Sequence, residues 1–177
     1  MIKITIINCN QAVLDGPLKL LNKLYHEFEI KHPNWFHLMR YQKGRNTWDG
    51  KIHYIREDGK FKIGLLPMIY NRCKELGEEV KVIDNRPKLN VVPSIPHHIG
   101  DKVLRVEQKY ALAGILGNQI GGVPFMIGVG DLAVNFGKSL LMASLYYSFN
   151  KKLKTLLITN DSDWLKQSQQ EFPELIP

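Results

Sequence analysis

In Ile2-Lys3-Ile4-Thr5-Ile6 every second side chain is apolar. That is the period of a strand with one buried face, so a strand is expected over Ile2–Asn8. Asp15-Gly16-Pro17 then reads as a turn, with Pro17 suited to the first turn of a helix. Leu18, Leu21, Leu24, Tyr25 and Phe28 recur at helical spacing up to Pro33. Trp35 to Gln42 fits a strand and Gly44-Arg45-Asn46 a turn. Lys51 to Arg56 fits a second strand, joined through the Asp58-Gly59 hairpin signal to a return over Lys60–Gly64. A short helix from Pro67 to Leu76 is closed by Gly77, a good helix C-cap residue. Glu79–Asp84 completes an α+β unit spanning residues 1–85.

Residues 86–101 carry three prolines and no periodicity, the pattern of a semi-rigid linker. Beyond it the pattern predicts a helix over Val103–Asn118, an apolar strand over Pro124–Val129 and a loop. A helix from Ser139 to Phe149, a strand over Lys154–Thr159 and a helix over Ser162–Phe172 follow. Strand, helix and strand in that order make a βαβ unit and hence a parallel sheet. Two parallel strands cannot bury both of their faces, so residues 102–177 are expected to be part of a larger domain.

Composition narrows the class without naming a function. With 177 residues, 44% of them hydrophobic, the chain is globular. No apolar run is long enough to cross a bilayer, and the N-terminus lacks a signal-peptide cleavage site. Cys9 and Cys73 are too few for a disulfide framework and read as reduced, buried thiols of a cytoplasmic protein. The six histidines lack ligand spacing with carboxylates or cysteines, so no histidine-based metal site is expected. The charge is lopsided: residues 1–90 hold 16 Lys/Arg against 10 Asp/Glu, residues 91–177 hold 8 against 7. A localised positive field attracts polyanions, foremost nucleic acid.

Two segments carry candidate chemistry. Gly130–Ser139, GDLAVNFGKS, ends in the Gly137-Lys138-Ser139 triplet of a phosphate-binding loop, but Leu132 stands where the general pattern has its first glycine. In such a loop backbone N–H groups and a helix N-terminus cradle phosphates, the lysine neutralises charge and the hydroxyl binds magnesium. Asn135 tolerates the left-handed backbone such loops use. The alternative is a plain helix N-terminus with Ser139 in its first turn. The second segment, Lys31 to Lys62, has eight Lys/Arg against three acids, interleaved with Trp35, Phe36, Tyr41, Trp48, Tyr54 and Phe61. Arg40, Lys43, Arg45 and Lys51 flank a turn and can project together toward a phosphate backbone, with Asn46 among them. Trp48-Asp49-Gly50 reads as structural, and Trp35, Trp48 and Phe61 as core. Asp161, ending the apolar Leu156–Thr159 run, can be mistaken for a magnesium-orienting acid, and no Ser-His-Asp or Cys-His arrangement is present.

These segments resemble the superfamily 2 DNA helicases, which write the loop x-x-T-G-x-G-K-[TS] and need no glycine at the position of Leu132. Val134 and Asn135 stand where the family often has Thr-Gly. Leu104–Leu112, LRVEQKYAL, resembles the family's Q motif, and Lys154–Gln167 resembles its motif Ia. Met39–Ile55 and Gly64–Asp84 are similar to the N-terminal elements of phage recombination helicases in this superfamily. The resemblance implies α/β architecture: an accessory α+β DNA-binding domain (1–85), the linker, and an incomplete RecA-like parallel α/β domain (102–177). It implies ATP and Mg2+ as cofactors, held by Arg105, Gln108, Val134, Asn135, Phe136, Gly137, Lys138, Ser139 and Leu140. Lys138 would meet the β- and γ-phosphates, Ser139 the magnesium and Gln108 the adenine. Thr159, Asn160 and Ser162 would touch the DNA backbone beside the basic segment, the DNA being duplex or branched. The rest of the motor is expected beyond Pro177, in a phage protein acting in the host cytoplasm. A non-catalytic DNA-binding module with a vestigial phosphate loop is the alternative.

Overall fold

The computed structural model of the chain describes residues 1–41, 48–88, 91–125, 128, 130–133, 135–150, 152–156, 158–159 and 162–173, with backbone alone at 39–41. It divides into two compact units: Met1–Pro87 with Gln119–Val123, and Lys88–Asn118 with Pro124–Pro177.

The first unit is built on a four-stranded sheet. Strands β1 (Ile2–Ile6) and β2 (Gln11–Asp15) pair antiparallel, with Ile4 opposite Leu14. After helix α1 (Leu18–Glu27) come β3 (Glu29–Lys31), α2 (Trp35–Tyr41), β4 (Lys51–His53) and β5 (Lys60–Lys62), then α3 (Leu66–Glu75) and β6 (Val80–Asp84). The order across the sheet is β5-β2-β1-β6, with β6 parallel to β1. The period-two pattern of β1 works as expected: Ile2, Ile4 and Ile6 are each 0% exposed. Burying an isoleucine side chain contributes about 1.5–3 kcal/mol. Leu24, Phe61, Leu66, Ile69 and Cys73 are buried in the same unit. The Asp58-Gly59 turn forms as its sequence demands. Gly59 has φ +76°, and a Cβ there would stand 2.3 Å from the Leu14 carbonyl oxygen, so only glycine fits.

Three expectations for this unit are corrected. The strands either side of the Asp58-Gly59 turn do not ladder together as a hairpin: β4 pairs with β3 and β5 with β2, and an isolated Ile55–Phe61 bridge lies between them. Trp35–Tyr41 is a helix, not a strand. The Leu38 N–H donates to the Asn34 carbonyl at 3.1 Å, which makes Asn34, a preferred N-cap residue type, the start of a helix after Pro33. Cys9 is exposed, and only Cys73 is the buried thiol.

The second unit is helical around a short hairpin. Strands β7 (His98–Ile99) and β8 (Lys102–Val103) precede α4 (Val106–Leu116). The β9 (Gln119–Ile120)/β10 (Val123–Pro124) hairpin falls mostly with the first unit, and α5 (Lys138–Ser148) and α6 (Ser162–Glu171) complete the chain. Leu104, Leu112 and Leu141 form one buried cluster; Ile99, Ala143 and Phe172 form another. Leu140 packs against both. The Lys102 ammonium pairs with Glu171 at 2.6 Å and ties β8 to α6. The strand expected over Lys154–Thr159 is not formed by its described residues. Leu156 and Ile158 stand 82% and 83% exposed; a buried parallel strand exists only with neighbours to ladder against, and these residues have none described. No helix among the described residues is long and apolar enough to cross a membrane.

Candidate functional site

The loop ahead of α5 is shaped by two left-handed residues, Asn135 at φ 66° and Gly137 at φ 85°. Gly137 is the N-cap of α5, and the first intrahelical bond runs from the Leu141 N–H to its carbonyl at 3.0 Å. The N–H groups of Lys138, Ser139 and Leu140 therefore lie ahead of the helical ladder, where a helix presents donors and partial positive charge. Lys138 is exposed and makes no hydrogen bond or ion pair to a described residue.

The other side of the loop is clamped by α4. Gln108 is 2% exposed, and its Nε2 donates to the Phe136 carbonyl at 2.7 Å. Its Oε1 accepts the Arg105 N–H at 3.0 Å, capping α4. The Arg105 guanidinium donates to the same Phe136 carbonyl at 2.6 Å and to the Asn135 carbonyl at 3.3 Å. It also lies 5.8 Å from the centroid of the Phe136 ring. A Cβ on Gly137 would stand 2.6 Å from Gln108 Nε2, so glycine is needed both for backbone angle and for room. The Arg105, Gln108, Asn135, Phe136, Gly137, Lys138, Ser139 and Leu140 expected from the sequence are thus brought together in one unit. Val134 lies outside the described residues.

Leu132 has a structural explanation. It packs, with Phe136, against the cluster of Leu104, Leu112 and Leu141. Its side chain anchors the loop to the core, so a glycine there would remove packing. Phe136, bulky for a loop, serves the same end. Sequence reasoning also missed Trp164 on α6, whose indole N–H donates to Ser139 Oγ at 3.0 Å. No local pattern announces that contact, because the two residues meet only through the packing of α5 and α6.

The donor set fits a polyphosphate: three N–H groups at a helix N-terminus, an ammonium without a competing partner among the described residues, and a side-chain-free turn at Gly137. Ser139 offers one hydroxyl oxygen for a magnesium ion.

The basic segment is only partly described. Arg40's side chain, Lys43, Arg45 and Asn46 lie outside the described residues, as does Asn160. The Lys51 ammonium is bound to Glu29, and that contact raises its pKa and lowers that of the carboxyl. The Trp48-Asp49-Gly50 turn is structural as expected: Asp49 Oδ1 accepts the Lys51 N–H at 3.0 Å, and Trp48 Nε1 donates to the Lys51 carbonyl at 2.8 Å. His53 Nε2 lies 2.8 Å from Asp49 Oδ2, and its ring stacks on Tyr25. The Lys31 ammonium sits 3.7 Å from the Trp35 ring centroid, and Phe36 is 54% exposed beside it. Thr159 is exposed, and Ser162 opens α6.

The architecture is mixed α/β, with a parallel pair inside its N-terminal sheet. Two solved structures share it. The crystal structure of the UvsW helicase from bacteriophage T4 superposes with a TM-score of 0.69 at 18% sequence identity, over 98% of this chain and 63% of that one. The crystal structure of T4 UvsW superposes with a TM-score of 0.67 at 19% identity, over 97% of this chain and 35% of that one. The chain therefore spans less than two thirds of either structure. No protein-family model and no curated protein sequence matches it.

Proposed function

We propose that the chain is the N-terminal part of an ATP-dependent DNA helicase that remodels duplex or branched DNA in phage recombination, replication or repair. The observation that carries this reading is the Gly137-Lys138-Ser139 turn at the head of α5, clamped through the Phe136 carbonyl by Arg105 and Gln108. It stands in a fold shared with a phage helicase.

Each residue has a task in this reading. The N–H groups of Lys138, Ser139 and Leu140 donate to phosphate oxygens, and the Lys138 ammonium neutralises the β- and γ-phosphates. Gln108 keeps a second amide hydrogen and a second oxygen lone pair, the complement of an adenine N7/N6 edge. Ser139 presents its hydroxyl oxygen to magnesium. The bound nucleotide supplies the phosphoanhydride whose cleavage drives the motor. The basic residues Arg40, Lys43, Arg45 and Lys51 hold the DNA backbone, with Thr159, Asn160 and Ser162 adding contacts. Of these, Lys51 contributes least, because Glu29 already takes its charge. The magnesium-orienting acidic motif and the arginine finger, which stabilise charge in phosphoryl transfer, are assigned to chain beyond Pro177. These 177 residues alone are therefore expected to bind nucleotide and hydrolyse it negligibly.

A titration of the chain with a fluorescent ATP analogue tests the nucleotide half. Lys138→Ala removes a charge-assisted contact of about 1.5–3 kcal/mol, a loss of roughly 10–100-fold in affinity. Equal affinity in both proteins would refute the site. For the DNA half, affinity falls steeply with salt and is reduced by Arg45→Glu; salt-independent binding would refute it.

A further inference from the structure

The three serines of α5 use their hydroxyls differently. Ser144 Oγ donates to the Leu140 carbonyl at 2.6 Å, and Ser148 Oγ donates to the Ser144 carbonyl at 2.7 Å. Both are buried and satisfied by their own helix, the usual fate of a helical serine. Ser139 does otherwise. The carbonyl four residues before it, that of Asn135, takes the Arg105 guanidinium, and Ser139 Oγ accepts the indole N–H of Trp164 at 3.0 Å. Tryptophan has only a donor, so the serine oxygen must be the acceptor. One lone pair is thereby fixed on α6, and the geometry of an sp3 oxygen aims the second away from Trp164. A hydroxyl held this way is oriented from outside rather than consumed.

We propose that Trp164 is a positioning residue of the magnesium site: its indole N–H sets the Ser139 hydroxyl so that the free lone pair faces the cation. The proposal rests on the nucleotide-binding reading of the α5 loop. Partners of this kind typically govern metal affinity by 10–100-fold without touching the metal. Trp164 is the third residue of α6, directly after the segment carrying Thr159 and Ser162. At its far end the helix is tied to β8 by the Lys102–Glu171 pair. The magnesium ligand is thus oriented by the same helix whose first turn is assigned to the DNA backbone.

The test is the enhancement of ADP affinity by Mg2+, measured calorimetrically on the intact chain. Trp164→Phe keeps the ring and removes the donor. It is expected to cut the Mg2+ enhancement about tenfold while leaving the Mg2+-free ADP affinity unchanged, the latter reporting an intact loop and fold. Trp164→His places Nε2–H at the same ring position as the indole N–H, and is expected to restore most of the enhancement. Ser139→Ala removes the ligand and sets the floor. Wild-type enhancement in Trp164→Phe would overturn the proposal, as would an equal loss with and without Mg2+. A wild-type chain that binds ADP with no Mg2+ enhancement would overturn it too, while leaving the nucleotide site standing. A wild-type chain that binds no ADP would overturn the nucleotide reading itself and the proposal with it.

Discussion

Gly137→Ala isolates the geometry on which the phosphate loop depends. At φ 85° the new residue occupies the left-handed region, which costs a non-glycine residue about 1–2 kcal/mol. Its Cβ would stand 2.6 Å from Gln108 Nε2, too close to persist. The amide must then leave the Phe136 carbonyl, which it now bonds at 2.7 Å. A lost hydrogen bond of this type costs about 1 kcal/mol. The expected total is about 2–3 kcal/mol, and in a unit of this size each kcal/mol lowers the melting temperature by about 4–8 °C. Calorimetry should therefore show the second unit's transition falling by roughly 10–20 °C. A double-mutant cycle separates the two costs. In a Gln108→Ala background the steric obstacle is gone, so Gly137→Ala should cost only its backbone strain, leaving a coupling of about 1 kcal/mol between the sites. Additivity within about 0.3 kcal/mol, or a total below about 0.5 kcal/mol, would refute the reasoning.

Leu132→Gly, which restores the general phosphate-loop pattern, is expected to lower the stability of the second unit by about 1–2 kcal/mol and not to improve nucleotide affinity, because Leu132 is a core anchor. Urea unfolding and an ADP titration check both halves. One equivalent of a thiol reagent should react rapidly at pH 8 with exposed Cys9. Cys73, whose pKa burial pushes up to about 11, should react only after unfolding. The carboxyls of Glu27, paired with Arg72, of Glu29, paired with Lys51, and of Asp84, paired with Arg86, all titrate below their usual range. Their contribution is present above the unfolded carboxylate range and is lost as pH falls through the lower folded values. Melting temperature should thus hold steady down to about pH 5 and fall below about pH 4, with Glu27→Gln flattening the acid limb; a transition that strengthens in acid would contradict these pairs.

What the sequence revealed is what local chemistry dictates. β1 is legible because its alternation is strict and its buried face continuous, and the Asp58-Gly59 turn because only glycine fits against Leu14. α3 and α5 are legible through Gly77 and the Gly137-Lys138-Ser139 start. β2 and β3 were not anticipated, since short strands owe their existence to the partners they ladder with, β1 and β4. Trp35–Tyr41 is helical although an aromatic run favours strands by composition, its first turn closing through the Leu38 N–H to the Asn34 carbonyl. In the candidate site, the Gly137-Lys138-Ser139 turn and the Arg105 and Gln108 positions follow local spacings and could be read, but the contacts they make could not. The packing of Leu132 and Phe136 and the bond from Trp164 to Ser139 are set by tertiary contact between α4, α5 and α6.

We propose above that the head of α5 binds a nucleotide polyphosphate. The most direct test of that proposal is an amide NMR titration of the 15N-labelled chain with MgADP. Large, saturable shifts are expected at the amides of Gly137, Lys138, Ser139 and Leu140, with smaller ones at Arg105 and Gln108, and Lys138→Ala should move their midpoint to roughly 10–100-fold higher MgADP. Saturable shifts confined to other residues, or none at millimolar MgADP, would contradict the proposal.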